Sequence, residues 1–329
     1  MKNTIFATKM KVYRGLDNVP RFNNPVITIG SFDGLHLGHQ QIFQKLRDIA
    51  TDISGETVVV TFDPHPRQII YPRDKTLQLI TSLDEKIALL HNFDIDNLVI
   101  VPFSIEFSQI SADEYIEKFL VEKFAPHTIV IGYDHKFGLN RVGDINYLRW
   151  FEKKGYFKVE EISKHEIDAI TISSTKIRNA LSNKEITKAN KLLGYPFNMI
   201  GKVIVGQKIG KTLGYPTANI LIESNHKLIP PYGIYAVNIF VKNIKYQGML
   251  YIGDRPSMIN LNDRTIEVNI FKFDEEIYGE TVKIEMVRYI RDDIKFSDLE
   301  QLKEQLAIDK KNSLLALSDQ LSDSKISGS

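Results

Sequence analysis

Two histidines three residues apart, His36 and His39, stand in a glycine-rich run, G-S-F-D-G-L-H-L-G-H over Gly30–His39. A spacing of three lets both imidazoles face one side of a first helical turn. There they can donate hydrogen bonds to phosphate oxygens as charge develops in a transition state. Two surface or capping histidines are the simpler account of an arbitrary H-x-x-H, and a zinc ion would lack a third ligand nearby. The flanking glycines favour the phosphate, because they permit close backbone approach.

Three further clusters could act with this pair. Phe62-Asp-Pro-His-Pro66 holds His65 between two φ-locked prolines, and by itself reads equally well as a turn. Gly132-Tyr-Asp-His-Lys-Phe-Gly138 presents Asp134 as an acceptor for a ribose or an adenine amino group. Ile172-Ser-Ser-Thr-Lys-Ile-Arg178 opens a helix with hydroxyls at its cap and two cations in its first turns. Cations at that end oppose the helix dipole, whereas a bound phosphate accounts for both the hydroxyls and the charges.

The second half offers a different set. Gly206-Gln-Lys-Ile-Gly-Lys-Thr212 imitates a Walker A loop, but Val205 occupies the required first glycine position. The L-G-Y-P-T-A-N-I that follows contains a proline where a P-loop needs a helix, so a P-loop is rejected. Thr217 and Asn219 are oxygen donors one residue apart, suited to a Mg²⁺ that keeps most of its waters, or else an ordinary Pro-Thr turn. Glu267 and Asn269 share one strand face, opposite Ile266, Val268 and Ile270. An acid on a solvated face needs no function.

The elements that must position these residues follow from hydrophobic patterning. Short continuous apolar runs at 25–30, 57–62, 97–103 and 128–132 read as strands buried on both faces of a parallel sheet. Ile42, Leu46 and Ile49 mark a helix after the first, and capping boxes at Ser82–Glu85 and Ser111–Glu114 open two more. The alternation predicts a doubly wound α/β domain from Pro25 to about Leu181. One more helix is expected over Lys184–Leu193, ended by Gly194 and Pro196. Then come five β-rich runs separated by Gly, Pro, Asn and Asp, predicting an antiparallel barrel or sandwich. A last amphipathic helix is expected over Ser297–Asp309, with a frayed tail from about 318. The division expected is 1–184 and 185–329.

Across 329 residues, 43% hydrophobic and 25% charged, there is apolar material for two cores. A net charge of +1 supplies no global field toward nucleic acid or anionic lipid, so any anion site must be local. The absence of cysteine excludes disulfides, thiolate metal sites and cysteine nucleophiles, and agrees with a reducing cytoplasm. Neither a signal-peptide core nor the ~18 apolar residues of a membrane span is found. A cytoplasmic protein acting on small molecules, without nucleic-acid or membrane partners, is the expectation.

Taken in order, G-x-F-D-G-x-H-x-G-H, F-D-P-H-P, G-x-D-x-x-F-G and I-S-S-T-x-I-R make the first half similar to prokaryotic FAD synthetases. The G-x-x-x-G-[RK]-x-L-G-[FY]-P-T-A-N pattern, Tyr232-Gly-Ile-Tyr235, I-G-D-R-P, I-Y-G-E and I-R-D-D-I-K-F resemble riboflavin kinases. Over roughly residues 10–311 the chain resembles the bifunctional riboflavin kinase/FAD synthetase family. That resemblance implies a Rossmann-like nucleotidyltransferase domain followed by a riboflavin kinase barrel with a C-terminal helix. It implies ATP, Mg²⁺, riboflavin, FMN and FAD as substrates, cofactor and products, and a monomer or weak homo-oligomer.

Carried over, His36 and His39 stabilise the α-phosphate, and Ser174, Thr175 and Arg178 the outer phosphates. Gly30, Phe32, Asp33, Gly38 and Asp134 complete the ATP site, with Asp63 and His65 on the flavin side. In the kinase, Gly206, Gly210, Lys211, Gly214, Pro216 and Arg291 meet ATP or flavin, Thr217 and Asn219 hold the metal, and Glu267 is the general base. Four positions depart from the family pattern. His135 replaces Phe, Tyr251 replaces Asn, Ser257 replaces Thr and Lys211 replaces Arg, which loses a bidentate fork but keeps the charge. Two other readings stay open. One is an adenylyltransferase for another small molecule with an accessory barrel, the other a non-catalytic flavin- or RNA-binding protein.

Overall fold

The computed structural model describes residues 10–74, 76–162, 172–206, 210, 213–254 and 264–326, with side chains to 319. Lys211 and Ser257 lie outside the described residues. The chain divides into two compact units, Met1–Leu79 with Leu83–Ser173, and Ile80–Ser82 with Ser174–Ser329.

The four apolar runs form the middle of a parallel sheet: β2 (Val26–Ile29), β3 (Thr57–Asp63), β4 (Asn97–Pro102) and β5 (Thr128–Gly132). Every residue of β2 and β5 is buried, as strands covered on both faces require. Two edge strands lie beyond the four apolar runs. These are β1 (Lys11–Arg14) and β6 (Lys158–Ile162), whose charged, partly exposed residues lack a continuous apolar run. The order is β1-β4-β3-β2-β5-β6.

Successive residues of a strand point to opposite faces, and two cores result. On one face Ile27, Ile29, Val58 and Val60 pack with Ile116 and Phe119 of α4 (residues 112–124) and Phe151 of α5 (Ile145–Lys153). On the other, Val26, Val59, Leu98 and Ile100 pack with Ile42, Phe43 and Leu46 of α1 (Leu37–Asp52) and Leu90 of α3 (Leu83–Leu90). The short α2 (Pro66–Ile70) follows β3. The capping box at Ser111 forms, its hydroxyl accepting from Glu114 N–H while Glu114 Oε2 accepts from Ser111 N–H. Helix α3 starts at Leu83, directly after Ser82.

The second unit opens with α6 (Ser174–Ser182) and α7 (Ile186–Leu193), which ends at left-handed Gly194. Six strands follow: β7 (Asn198–Ile204), β8 (Ala218–Leu221), β9 (Gly233–Val241), β10 (Ile244–Asp254), β11 (Arg264–Ile270) and β12 (Thr281–Arg291). They close an antiparallel barrel in the order β10-β11-β8-β7-β12-β9. Closure leaves no unpaired edge, which decides barrel over sandwich.

The last helix, α8, runs Leu299–Ile326, beyond the Asp309 end expected and through the stretch expected to fray. Its buried side chains include Asp309, Ser313, Ala316 and Leu317, the last two against Ile234, Met249 and Phe271 of the barrel. Polar residues on the inward face break the apolar periodicity on which the shorter prediction rested.

Candidate functional site

The glycine-rich run is the turn between β2 and α1. Gly30 N–H still bonds Val60 O at 3.0 Å, and the backbone then folds sharply, with positive φ at Phe32, Gly34 and Leu35. At Gly34, φ +83° is open to glycine but strained for other residues. Phe32, Asp33, Leu35 and His36 are all buried by this fold, and Gly38 is buried in the first turn of α1. Gln40 Nε2 donates to Leu35 O at 2.9 Å and pins the exit.

His36 is the N-cap residue of α1, and the His36 and His39 rings stack with centroids 3.7 Å apart and planes 15° apart. The Phe32 ring meets His39 edge-on at 5.3 Å. Burial, then the neighbouring His36, then the Lys86 ammonium hold His39 well below the ordinary imidazole pKa. A neutral ring keeps one N–H to donate, and His39 Nδ1 is buried without a hydrogen-bond partner.

Strand order places this turn at a reversal. From β2 the chain adds β3 and β4 on one side, then returns to place β5 on the other. In open α/β sheets the crevice outside the carboxyl ends of such strands is where ligands bind. The Gly30–His39 turn and the Gly132–Gly138 loop therefore flank one crevice, with the end of β3 beside them. Asp134 is exposed in that loop, while His135 is half-buried and approaches the Phe137 ring at 5.9 Å. Burial, then the Arg141 guanidinium, push His135 down to about 4.

At the end of β3, Asp63 is exposed and His65 caps α2. The His65 Nδ1 accepts from Arg67 N–H at 3.2 Å, and the His65 backbone N–H donates to Gln68 Oε1 at 3.0 Å. Ser174, Thr175 and Arg178 all lie on α6, which belongs to the second unit. Sequence reasoning missed Lys86, which is buried and donates to Ser31 O in the histidine turn. Its signal was a lysine on the inward face of α3, in line with Leu83 and Leu90.

In the barrel, Glu267 on β11 stands between Asn219 of β8 and Tyr251 of β10, each its register partner. The Thr217 hydroxyl donates to Glu267 Oε2 at 2.9 Å. Asn269 Nδ2 donates to Pro216 O at 2.7 Å, anchoring the turn that carries Thr217. A Cβ on Gly206 would stand 2.0 Å from the Asn219 amide, so only glycine leaves that side chain its place. Gly210 O accepts from Tyr215 N–H at 2.8 Å, and Gly214 and Pro216 line a cavity of about 400 Å³ with Tyr215, Asn269, Phe271 and Lys310.

The Thr217, Asn219 and Glu267 oxygens form a compact hard-donor set. It fits a Mg²⁺ that keeps several waters. No group of three or more His, Cys, Asp or Glu suited to a metal occurs among the described residues.

Two residues have partners that the sequence did not suggest. The Arg291 guanidinium, expected at ligand, grips Asp309 of α8 at 2.8 and 2.6 Å and donates to Asp292 O at 2.7 Å. The Tyr251 hydroxyl donates to Asp293 Oδ2 at 3.0 Å, and burial, then Asp293, raise its pKa.

The family models agree with both halves. One described as FAD synthetase matches residues 19–176, and one described as riboflavin kinase matches 193–317. A bifunctional riboflavin kinase/FMN adenylyltransferase of Buchnera aphidicola is 39% identical over 91% of this chain and 96% of its own. The chain belongs to the bifunctional riboflavin kinase/FMN adenylyltransferase family. Its counterpart in Listeria monocytogenes is 36% identical over 88% of this chain and 91% of that one. A crystal structure described as a macrolide-efflux protein from Streptococcus pneumoniae is similar in fold, with a TM-score of 0.83 and 30% identity. That similarity covers 93% of this chain and 98% of the other. Among the described residues no helix is long and apolar enough to cross a membrane. As a family member the chain is an enzyme with two transferase domains.

Proposed function

We propose that the chain converts riboflavin to FAD in two ATP-dependent steps, with functional domains at 1–184 and 185–329. In the barrel, Glu267 takes the proton of the ribityl 5′-hydroxyl as that oxygen attacks the γ-phosphorus of ATP, and ADP leaves. The Thr217 hydroxyl bonded to Glu267 orients the carboxylate. Thr217 and Asn219 would hold Mg²⁺, which neutralises phosphate charge. The cavity beside Pro216 suits the nucleotide, while Arg291, through Asp309, secures the helix behind the site.

In the α/β domain a phosphate oxygen of FMN attacks the α-phosphorus of ATP, and pyrophosphate leaves. His36 and His39, the latter held neutral, donate to the α-phosphate oxygens where charge accumulates. Gly30, Phe32, Asp33 and Gly38 shape the turn beneath them. Asp134 accepts from adenosine, Ser174, Thr175 and Arg178 receive the outer phosphates, and Asp63 and His65 face the flavin. The enzyme works in the cytoplasm as a monomer or weak homo-oligomer on small molecules alone.

The observation that carries this reading is the Glu267–Thr217–Asn219 cluster in a chain that also stacks His36 on His39 at the sheet reversal. Riboflavin, ATP and Mg²⁺ should yield FMN and then FAD by chromatography. Glu267→Gln should lose FMN formation by about 10²–10⁴-fold, yet still turn supplied FMN into FAD. Loss of both activities together would show that the two sites are not separate.

A further inference from the structure

Lys86 is a buried lysine outside every motif, only 6% exposed on the inward face of α3. Its ammonium donates to Ser31 O at 2.7 Å and to Thr61 Oγ1 at 3.2 Å. The first acceptor lies in the histidine turn and the second in β3, two residues before Asp63. The Thr61 hydroxyl itself donates to Ser31 O at 3.4 Å, closing a triangle between the two segments. Asp33 from the turn and Asp63 from β3 face the same ammonium, and His39 of α1 feels its charge.

A lysine kept only to fill a core would be an expensive choice, because burying an ammonium costs several kcal/mol unless it is paired and hydrogen-bonded. Here the pairing joins two segments at the crevice: the turn that carries the two histidines, and the strand end that carries Asp63 and His65. We propose that Lys86 is a positioning residue for adenylyl transfer. Its ammonium locks the histidine turn to the end of β3 and sets a buried positive charge behind that turn. Lys86 does not touch the reacting atoms and takes no proton from them. The inference rests on the turn being the AMP-transfer centre.

Burial lowers Lys86 to about 8, against the pull of Asp33 and Asp63. The charged form therefore predominates below pH 8 and is lost as pH rises through it. If that charge is needed, kcat/KM for ATP in FAD formation falls above about pH 8, since this parameter reports the free enzyme. The chain contains no cysteine, so no thiol titrates in the same range.

The test uses the full-length protein with FMN, ATP and Mg²⁺. Lys86→Met should form FAD at least ten-fold more slowly while riboflavin phosphorylation stays within two-fold of wild type. Lys86→Arg should move the alkaline limb up by a pH unit or more, because guanidinium stays charged. Circular dichroism and the thermal midpoint establish folding. Where Lys86→Met does not fold, the Lys86→Arg limb decides, and where Lys86→Arg is inactive the wild-type limb decides. The proposal is overturned by a folded Lys86→Met within two-fold of wild type, by an unmoved limb in an active Lys86→Arg, or by a wild-type profile flat from pH 7 to 9.5. A parallel His39→Gln variant separates the two readings. Full FAD formation by His39→Gln would overturn the assignment of the turn, whereas its loss beside an unaffected Lys86→Met would overturn the role of Lys86 alone.

Discussion

Single side chains set the protonation states on which the first site depends. His39 and His135 are both held neutral, the first by burial, His36 and Lys86 and the second by burial and Arg141. Both folded-state pKa values lie below the ordinary 6.5, so between that pH and about 4 the unfolded chain binds protons that the folded unit does not. Stability then rises with pH across this window and is lost as pH falls through it. The thermal midpoint of the α/β unit should decline from pH 6.5 toward pH 4, with each histidine contributing at most ~1.4 kcal/mol per pH unit. His135→Phe, which restores the ring that the family resemblance implies, should make that decline shallower in calorimetry. Parallel curves for the variant and the wild type would remove His135 from the account. Tyr251 poses a similar question in the barrel, where it stands beside Glu267 but is tied to Asp293.

Elements hold these residues through a few buried polar anchors. The α8 helix is fastened to the end of β12 by the two-pronged Arg291–Asp309 pair, with Asp309 fully buried and also accepting from Gln305 at 2.9 Å. Removing one partner of such a pair leaves a buried charge uncompensated, at a cost of about 3–5 kcal/mol. Asp309→Ala should therefore lower the thermal midpoint of the barrel unit by roughly 10 °C or more, on the scale of about 4 °C per kcal/mol for domains of this size. Replacing both partners with apolar residues should recover part of that loss. A double variant as unstable as Asp309→Ala would argue that the pair contributes net stability of its own. The same anchor gives Arg291, expected at ligand from the family resemblance, a structural partner in α8.

At the scale of the whole chain, sequence distance and structural membership part company. Ile80–Ser82 falls within the second unit although its neighbours on both sides belong to the first. Lys227, buried above the Phe197 ring, donates to Ile80 O at 2.6 Å and to Asn198 O at 2.7 Å. Lys227→Met strands two buried carbonyls, so a loss of about 1–3 kcal/mol is expected in the barrel unit. Riboflavin phosphorylation at room temperature should persist, and an unchanged melting curve would show that water replaces the ammonium. Closure into a barrel was decided by the tertiary structure, while the amino-acid order alone determined the β2–β5 strands, the capping box at Ser111, the β-rich second half and the glycine-rich histidine run. Each is a local pattern of apolar runs, caps and glycines that any neighbourhood must respect. Edge strands β1 and β6, the reach of α8, the partners of Arg291 and the presence of Lys86 at the histidine turn were decided only in three dimensions. Each depends on which polar atom comes within 3 Å of another across tens of residues, and periodicity carries no record of that. The Gly30–His39 run carried residue types suited to a phosphate, and the strand reversal between β2 and β5 placed that turn at a crevice.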